Sequence, residues 1–338
     1  MINHLQQQKN WQKQISEAIT DINELLTVLE LTHLQDKFYQ PQGFGLKIPR
    51  SFVAKMQVGN AQDPLFLQVV PNKKALVKQA GYITDPLAEA AHNPNKGILH
   101  KYKSRVLLTV TGACAVHCRY CFRQHFDYGA NTPASNQIND VIAYINQHPE
   151  VNEVIFSGGD PFSLSNRRLA DWLTQLTTLK QIKTIRFHTR LPIVIPYRID
   201  EELTEILGGF SQKVNLVMVL HVNHANEIDN TSASYFNKLK KAGVTLLSQT
   251  VLLADVNDDV ATQVNLNQKL FDFGVLPYYL HVLDKVEGAA YFDMSEQKAI
   301  ELYWQMLAEL PGFLIPRLVR EVADKPYKVP INLYQHFD

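Results

Sequence analysis

All three cysteines of this 338-residue chain lie in one short stretch, at Cys114, Cys118 and Cys121. Three thiolates with the spacing Cys-x-x-x-Cys-x-x-Cys can bind three corners of a cubic iron–sulfur cluster. Because the chain has no fourth cysteine, the last iron of such a cluster is left open. The spacing therefore predicts a 4Fe–4S cluster whose fourth iron binds a ligand that the protein does not supply.

Two other uses of these cysteines remain open from the residues alone. A tetrahedral zinc site of three Cys and one His could include His117 or His125, and free buried cysteines also occur in proteins. Structural zinc sites usually bring their cysteines in separated pairs, which favours the cluster. An odd number of cysteines in one loop argues against a secreted disulfide scaffold and for a reducing compartment. We therefore expect a cytoplasmic protein.

The cysteines follow a segment that predicts a buried β-strand. Arg105 to Thr111 is β-branched and apolar, so the cysteines lie on the loop at its C-terminal end. Helical and strand patterns then alternate, which predicts an α/β fold of parallel strands with right-handed crossovers, either a barrel or an open doubly wound sheet. The six predicted strands cover residues 105–111, 153–156, 184–188, 214–220, 244–253 and 276–282. In a parallel barrel the C-terminal ends of the strands form the catalytic face.

The regions on either side of this α/β core have a different pattern. Apolar residues recur every three or four positions from Trp11 to Leu29, which predicts one amphipathic helix packed on the main body. Residues 38–100 are irregular and show no catalytic pattern. We expect three parts: a mostly helical or irregular N-terminal region (1–100), a barrel (101–310) and a C-terminal tail (311–338).

Polar residues follow the strands at the predicted catalytic face. The second strand ends in Ser157-Gly158-Gly159-Asp160, where the glycines allow close approach to the backbone and the Asp can accept hydrogen bonds from an ammonium group. Taken alone, a polar residue at a strand end is more often part of a solvated loop or a helix cap than a ligand-binding group. Together they predict a rim of donors and acceptors around a small polar ligand, which includes Arg190, His221 and Gln249.

The composition restricts the class of partner. Lys and Arg total 33 and Asp and Glu total 33, so the charge balance does not indicate bulk nucleic acid or an anionic membrane as a partner. The first residues lack an apolar signal core, and no run of eighteen apolar residues occurs. We expect no membrane and no nucleic acid among the partners, and a protein substrate stays open.

The cysteine loop and several further motifs resemble the lysine 2,3-aminomutase family of radical S-adenosylmethionine (SAM) enzymes. The similarity runs from Lys101 to Pro330. Its motifs are Cys-Arg-Tyr-Cys-Phe-Arg, Ser-Gly-Gly-Asp, Thr-Arg-x-Pro-x-Val, His-x-Asn-His-x-Asn-Glu, Gln-Thr-Val-Leu-Leu, Val-Asn-Asp and Pro-Tyr-Tyr. The resemblance implies a partial (β/α)6 radical SAM barrel with an N-terminal helical extension and a short C-terminal tail. It also implies that the amino and carboxylate groups of SAM chelate the open iron.

The resemblance implies pyridoxal phosphate (PLP) as a further cofactor. A PLP enzyme holds this cofactor through a lysine, and the matching lysine is Lys328. Arg105 and Arg190 match phosphate-binding arginines of the family, in line with the bidentate preference of guanidinium for phosphate. The Ser-Gly-Gly-Asp segment matches the one that binds the amino group of SAM. The other matching cofactor-binding residues are Tyr102, His221 and Gln249.

The resemblance also implies a site for lysine. Arg123 matches the position that pairs with the substrate carboxylate, and Asp284 matches one of two aspartates that bind the side-chain ammonium group. The second such position is Glu321, where the family enzyme that acts on free lysine has Asp. The negative charge is retained, so L-lysine is the expected substrate. Two acids would repel the acidic side chain of glutamate.

The expected function is a radical SAM, PLP-dependent isomerase that converts L-α-lysine to β-lysine. The chain ends ten residues after Lys328 and so resembles the short form of the family, which makes (R)-β-lysine for attachment to elongation factor P by a lysyl ligase. An electron donor is also implied. One alternative is a 2,3-aminomutase for another amino acid, such as glutamate. The other is an iron–sulfur or zinc protein that binds RNA or a partner without turnover, which the neutral charge balance disfavours.

Overall fold

The computed structural model describes residues 10–133 and 137–333. Within these residues one sheet holds nine strands in chain order. The strands are β1 (Ile98–Tyr102), β2 (Arg105–Thr111), β3 (Glu153–Gly158), β4 (Thr184–Thr189), β5 (Asn215–His221), β6 (Val244–Val251), β7 (Leu276–His281), β8 (Arg317–Arg320) and β9 (Val329–Pro330). Strands β2 to β8 are parallel, and β1 and β9 pair antiparallel at the two edges. In the described residues these edges do not pair with each other, so the sheet forms a partial barrel.

Helices connect the consecutive parallel strands from β2 to β8. The helices are α1 (Trp11–Ser16), α2 (Ile22–Val28), α3 (Arg50–Val53), α4 (Pro64–Leu67), α5 (Tyr128–Asn131), α6 (Ile138–Asn146), α7 (Asn166–Leu176), α8 (Leu191–Val194), α9 (Glu201–Ser211), α10 (Asn230–Lys241), α11 (Val260–Asp272) and α12 (Glu296–Glu309). Short 3₁₀ turns cover Thr32–Lys37, Lys73–Leu76, Glu89–His92, Pro161–Ser163, Pro196–Arg198, Ala225–Glu227, Ala290–Phe292 and Gly312–Leu314. None of the described helices is long and apolar enough to cross a membrane.

Five of the connecting helices begin at a residue whose side chain caps the first turn. In each case the side-chain oxygen accepts a hydrogen bond from the backbone N–H three residues further along. The caps of α7, α9, α10, α11 and α12 are Ser165, Asp200, Asp229, Asp259 and Ser295. Each such cap contributes about 1 kcal/mol to helix stability. The helix starts that follow the strands are therefore fixed by local sequence.

The six strands predicted from the sequence correspond to β2 through β7, and the α/β class with a parallel sheet is confirmed. The structure adds β8 as a seventh parallel strand, together with the two antiparallel edge strands. Strand β8 has only four residues, and only Leu318 and Val319 in it are buried. In a strand of four residues with an arginine at each end, no alternation of apolar and polar residues can be recognised. The predicted tail therefore contributes to the sheet.

The single N-terminal helix predicted from Trp11 to Leu29 is wrong, because the structure has two helices there. The backbone of Ile19 pairs with Ile48 through hydrogen bonds of 2.8 and 3.0 Å, which interrupts the helix. Asp21 then caps α2 by accepting from the N–H of Asn23. Both helices turn their apolar residues to the same core. The apolar spacing therefore continues across both helices and does not indicate the break between them.

The N-terminal region packs on the barrel, as predicted. Trp11, Leu25 and Phe66 belong to the same buried apolar cluster as Phe187 of β4. The fully buried guanidinium of Arg198 lies 4.5 Å from the ring of Trp11. A cation held over an aromatic face away from water is stabilising. The hydrophobic core is thus continuous from the first helix into the sheet.

Candidate active site

One cavity of about 610 Å³ lies inside the partial barrel. Every site residue predicted from the sequence lines this cavity: Tyr102, Arg105, Cys114, Cys118, Cys121, Arg123, Ser157, Gly158, Gly159, Asp160, Arg190, His221, Gln249, Asp284, Glu321 and Lys328. The volume is in the range of sites for small molecules and cofactors, roughly 300–1,000 Å³. The structure therefore brings all of these residues to one place, while the role of each stays a prediction.

The cysteine loop is held against the loop that follows β3 by backbone hydrogen bonds. The N–H of Gly159 donates to the carbonyl of Thr111 at 2.7 Å, and the N–H of Asp160 donates to the carbonyl of Ala113 at 2.8 Å. A Cβ at Gly159 would lie 2.4 Å from the Ala113 oxygen. Gly158 also has φ of +111°, which side chains rarely tolerate. The two glycines are required here by the cysteine loop itself, and their predicted contact with SAM stays a prediction.

The carboxylate of Asp160 ties the same loop to the end of β4. One oxygen accepts from the N–H of Phe162 and from the hydroxyl of Thr189, and the other accepts from the N–H groups of Arg190 and Leu191. Burial raises the pKa of Asp160, and these hydrogen bonds oppose the shift. Both oxygens are thus engaged by the protein, so Asp160 organises the loop on which the predicted SAM contacts lie.

The histidines of the zinc alternative have other partners. His117 makes a 2.9 Å hydrogen bond through Nδ1 with the carbonyl of Gly45, and its ring stacks on Phe44. His125 makes a hydrogen bond with the carbonyl of Glu287 at 3.2 Å. Over residues 10–133 and 137–333, no three His, Cys, Asp or Glu side chains lie close enough together to hold a single metal ion. Three thiols that line one cavity without converging on a point suit a cluster, in which each thiolate binds a different iron.

Arg190 lies against the cysteine loop. Its NH1 donates to the sulfur of Cys118 at 2.7 Å and to the hydroxyl of Tyr120 at 2.6 Å. Its NH2 donates to Gln68 at 2.7 Å and to Glu227 at 2.8 Å. The phosphate-binding role expected for Arg190 stays a prediction, and these contacts favour an action on the cysteine loop instead.

Arg105, the other expected phosphate ligand, lies against Tyr102. Its guanidinium is 4.5 Å from the ring of Tyr102. The hydroxyl of Tyr102 in turn donates to Glu321 at 2.6 Å, and Glu321 accepts from Nζ of Lys328, also at 2.6 Å. Arg105, Tyr102 and Lys328 are thus connected through short contacts, as residues that hold one cofactor would be.

Glu321 joins the two edges of the open sheet. It accepts hydrogen bonds from Lys101 and Tyr102 of β1 and from Lys328, which precedes β9. Burial would raise the pKa of Glu321, but the ion pair with Lys328 and these hydrogen bonds lower it to about 2. The carboxylate is therefore charged at neutral pH. Among the described residues, the contacts of Glu321 thus connect β1 to the β8–β9 end of the sheet, although the backbones of these two edges do not pair with each other.

Asp284 is the other predicted acid, and its surroundings differ. Burial raises the pKa of this carboxyl to about 7, although the charge of Lys328 opposes the shift. Among residues 10–133 and 137–333, no side chain or backbone group donates a hydrogen bond to its carboxylate. A cation that enters the cavity could therefore pair with this carboxylate.

Arg123 is bound by an acid that the sequence analysis missed. Its Nε and NH2 donate to the two carboxylate oxygens of Glu89 at 2.8 and 2.6 Å, and NH1 donates to Ser157 at 2.8 Å. Asp85 holds Glu89 in place by accepting from its backbone N–H. Glu89 lies in the irregular stretch where no catalytic pattern was visible. No local signal distinguishes it from the other acidic residues.

Three histidines of the cavity are neutral. Burial lowers the pKa of His188 and His281 well below the usual value, and burial next to Arg190 lowers that of His221 to about 3. His221 makes a 2.8 Å hydrogen bond with the hydroxyl of Tyr120. Gln249, also predicted, pairs with His221 across neighbouring strands. These residues offer hydrogen bonds without charge.

The fold and the cysteine loop define an iron–sulfur enzyme built on a partial α/β barrel. The model of the family described as "4Fe-4S single cluster domain" matches residues 103–191, which include all three cysteines. L-lysine 2,3-aminomutase of Escherichia coli (strain K12) is 45% identical over 330 residues, covering 96% of this chain and 95% of that protein. L-lysine 2,3-aminomutase of Haemophilus influenzae is 43% identical over 328 residues, with 96% of each covered. The chain belongs to the lysine 2,3-aminomutase family of radical SAM isomerases.

A comparison of structures gives a more distant similarity. A radical SAM methyltransferase from Sphaerobacter thermophilus superposes with a TM-score of 0.44 at 17% identity. The match covers 66% of this chain and 68% of that one. A similarity at this level carries no weight for the reaction, and the assignment to the family is based on the sequence relatives.

Proposed function

We propose that this chain is a PLP-dependent lysine 2,3-aminomutase that converts L-lysine to (R)-β-lysine. The observation that supports it best is the set of residues that lines the cavity of about 610 Å³ inside the partial barrel. This cavity combines the three cysteines, Lys328 paired with Glu321, Arg123, and the carboxylate of Asp284, which accepts no hydrogen bond from any described residue. A site for a zwitterion with a cationic side chain needs such separated charges.

The cavity residues suit the two organic cofactors of the proposal. Lys328 would hold PLP, Arg105 its phosphate, and the cysteine loop the cluster that binds SAM. When bound, the cluster and SAM supply a hydrogen-abstracting radical, and PLP makes the amino group able to migrate. The protein's own part is to position the substrate and to exclude water. Apolar side chains contribute to the wall of the cavity, among them Leu99, Val106, Leu107, Ile155, Val251 and Leu283.

The substrate contacts follow from the charges. Arg123 would bind the carboxylate of lysine through the edge that Glu89 now occupies. Asp284 would accept the side-chain ammonium group, because Glu321 is already paired with Lys101 and Lys328. An acidic substrate side chain would meet the carboxylate of Asp284 and be repelled once Asp284 is ionised. The geometry thus favours lysine over glutamate.

The function is tested by an anaerobic assay of the reconstituted protein with SAM, PLP, a strong reductant and L-lysine, followed by chiral chromatography. We expect (R)-β-lysine from L-lysine and no product from L-glutamate. Deoxyadenosine without β-lysine would keep the radical chemistry but exclude free lysine as the substrate. The opposite enantiomer would contradict the proposed product. Absence of any SAM cleavage in protein with a full cluster would contradict the whole assignment.

The proposal includes a destination for the product. By resemblance to the short form of the family, (R)-β-lysine would be attached to elongation factor P by a lysyl ligase in the cytoplasm, and a cellular electron donor would reduce the cluster. A strain that lacks this chain should then contain elongation factor P without the β-lysyl group. Mass spectrometry of the purified factor tests this directly, and an unchanged modification would exclude the role.

Binding of L-lysine should strengthen as the pH rises through 7. Asp284 has a pKa of about 7 in the folded protein, so its carboxyl is neutral below this value and negative above it. A neutral acid does not attract an ammonium group, and we expect KM for L-lysine to fall about tenfold between pH 6 and pH 8. Asp284→Asn should raise KM and remove this dependence. An unchanged pH profile in the variant would contradict the ammonium site.

Glu89 should compete with the substrate for Arg123. Glu89→Gln keeps the size of the side chain and removes the competing charge, which is worth about 1.5–3 kcal/mol in a charge-assisted hydrogen bond. We expect KM for L-lysine to fall by about tenfold. Glu287→Gln, at an acid whose side chain is not bonded to Arg123, serves as the control. A rise in KM for Glu89→Gln would instead mean that Glu89 orients Arg123.

A further inference from the structure

Arg190 connects the cysteine loop to Glu227, a buried acid in the 3₁₀ turn that follows β5. Its NH1 donates to the sulfur of Cys118 at 2.7 Å, and its NH2 donates to Glu227 at 2.8 Å. The arginine is 6% exposed and Glu227 is 0% exposed. Because both charges are removed from water, breaking one half of this pair would leave the other buried and uncompensated. The pair therefore holds the guanidinium at the sulfur of Cys118, although removing both charges from water costs free energy.

The surroundings of Glu227 fix the direction in which Arg190 points. One oxygen of Glu227 accepts from the backbone N–H groups of Asn223 and His224 at 2.9 and 3.0 Å. Its other oxygen accepts from NH2 of Arg190, and Gln68 accepts from the same nitrogen at 2.7 Å. With NH2 held in this way, the planar guanidinium must direct NH1 at Cys118 and Tyr120. A lysine, with a single nitrogen, cannot contact both sets of partners.

We propose that Arg190 raises the reduction potential of the 4Fe–4S cluster through Cys118. A cluster gains negative charge when it accepts an electron, and part of that charge lies on the sulfur atoms of its ligands. A hydrogen bond and a positive charge at one of these atoms stabilise the reduced form more than the oxidised form. The effect is large because the contact is shielded from water. Arg190 is thus a positioning residue that makes the cluster easier to reduce.

The test is the midpoint potential of the reconstituted cluster, measured by anaerobic titration with electron paramagnetic resonance. We expect Arg190→Lys to shift the midpoint to a more negative value by about 59 mV or more, which is a tenfold change for one electron. The measurement uses protein with the cluster alone, without PLP or lysine. Its result is therefore independent of the proposed substrate, and it requires only that Cys118 is a cluster ligand.

Arg119 provides a matched control. It is next to Cys118 in the chain and 5% exposed, but its NH1 donates to the carbonyl of Phe44 at 3.0 Å, and its guanidinium makes no hydrogen bond with a cysteine of the described residues. Arg119→Lys makes the same substitution beside the same ligand, and we expect the potential to remain at the value of the unaltered protein. An equal shift in both variants would mean that replacing any guanidinium near the cysteine loop changes the potential, whether or not it is bonded to Cys118, and would overturn the proposal.

A double variant separates the contact from the buried charge. Arg190→Met with Glu227→Gln removes both charges, so the local net charge stays the same while the donor to Cys118 is lost. We expect the same negative shift as in Arg190→Lys, with unchanged iron content and circular dichroism. An unaltered midpoint in both variants would refute the proposal. Loss of the cluster from a folded variant would also refute it, because Arg190 would then serve assembly and not the potential.

Discussion

Replacing Lys328 by alanine should reduce β-lysine formation at least about a thousandfold. The lysine holds PLP in the proposed site, and a reactant that is no longer held in position loses most of its rate advantage. The visible absorbance of bound PLP should disappear in the same variant. We expect the cluster to remain, because Lys328 contacts Glu321 and not the cysteine loop. The measurements are product chromatography and absorbance of the reconstituted protein.

Two other lysines serve as controls for this prediction. Lys325 is exposed and lies three residues earlier in the same segment, so Lys325→Ala should leave both signals unchanged. Lys101 is the sharper control, because it also lines the cavity and also pairs with Glu321, at 3.0 Å. We expect Lys101→Ala to keep the absorbance of PLP. If Lys101→Ala lost it and Lys328→Ala kept it, the assignment of the PLP lysine would be wrong.

Replacing Cys114 by alanine should abolish SAM cleavage. Three thiolates are the minimum in the proposed cluster site, and the chain contains no other cysteine that could take the place of one. We expect iron content to fall sharply and deoxyadenosine production to fall to background. Both can be measured without PLP or lysine. Normal SAM cleavage by this variant would end the cluster assignment.

The same two measurements on a second variant, His117→Ala, distinguish the cluster from the zinc alternative. His117→Ala removes the histidine that a site of three Cys and one His would use, yet its ring nitrogen is bonded to Gly45 in the structure. We expect iron content and SAM cleavage to be unaffected. A loss of bound metal in His117→Ala equal to that in Cys114→Ala would mean that the histidine is a ligand.

Much of the architecture could be predicted because its signals are local. Strands β2 to β7 each contain enough apolar residues to be recognised without their neighbours, and the side chains that cap the helices are read from a few positions. The cysteine spacing is also local. Strand β8 was missed because four residues between arginines carry too little pattern. The break at Ile19 was missed because Ile48, the residue that pairs with it, is distant in the sequence.

The chemistry of the cavity could be predicted only in part. Arg123, Asp284 and Lys328 were found through resemblance to a family, and the structure places them in one cavity. Glu89 was not found, because its importance comes from its contact with Arg123, which is 34 residues away. The phosphate-binding role of Arg190 stays a prediction, and the hydrogen bonds of its guanidinium to Cys118, Tyr120, Gln68 and Glu227 could not be read from the sequence.

The sequence by itself determined which groups this protein has for its chemistry: three thiols in one loop, a parallel α/β core, and strand ends rich in polar residues. Spacing and periodicity carry these features because they depend on residues close together in the chain. Only the tertiary structure decided which charges face each other. Tyr102 and Glu321 are 219 residues apart, and Gln68 and Arg190 are 122 apart, yet both pairs are hydrogen-bonded. Such contacts depend on how the strands assemble around the cavity, because electrostatic pairing acts through space, and no local pattern encodes it.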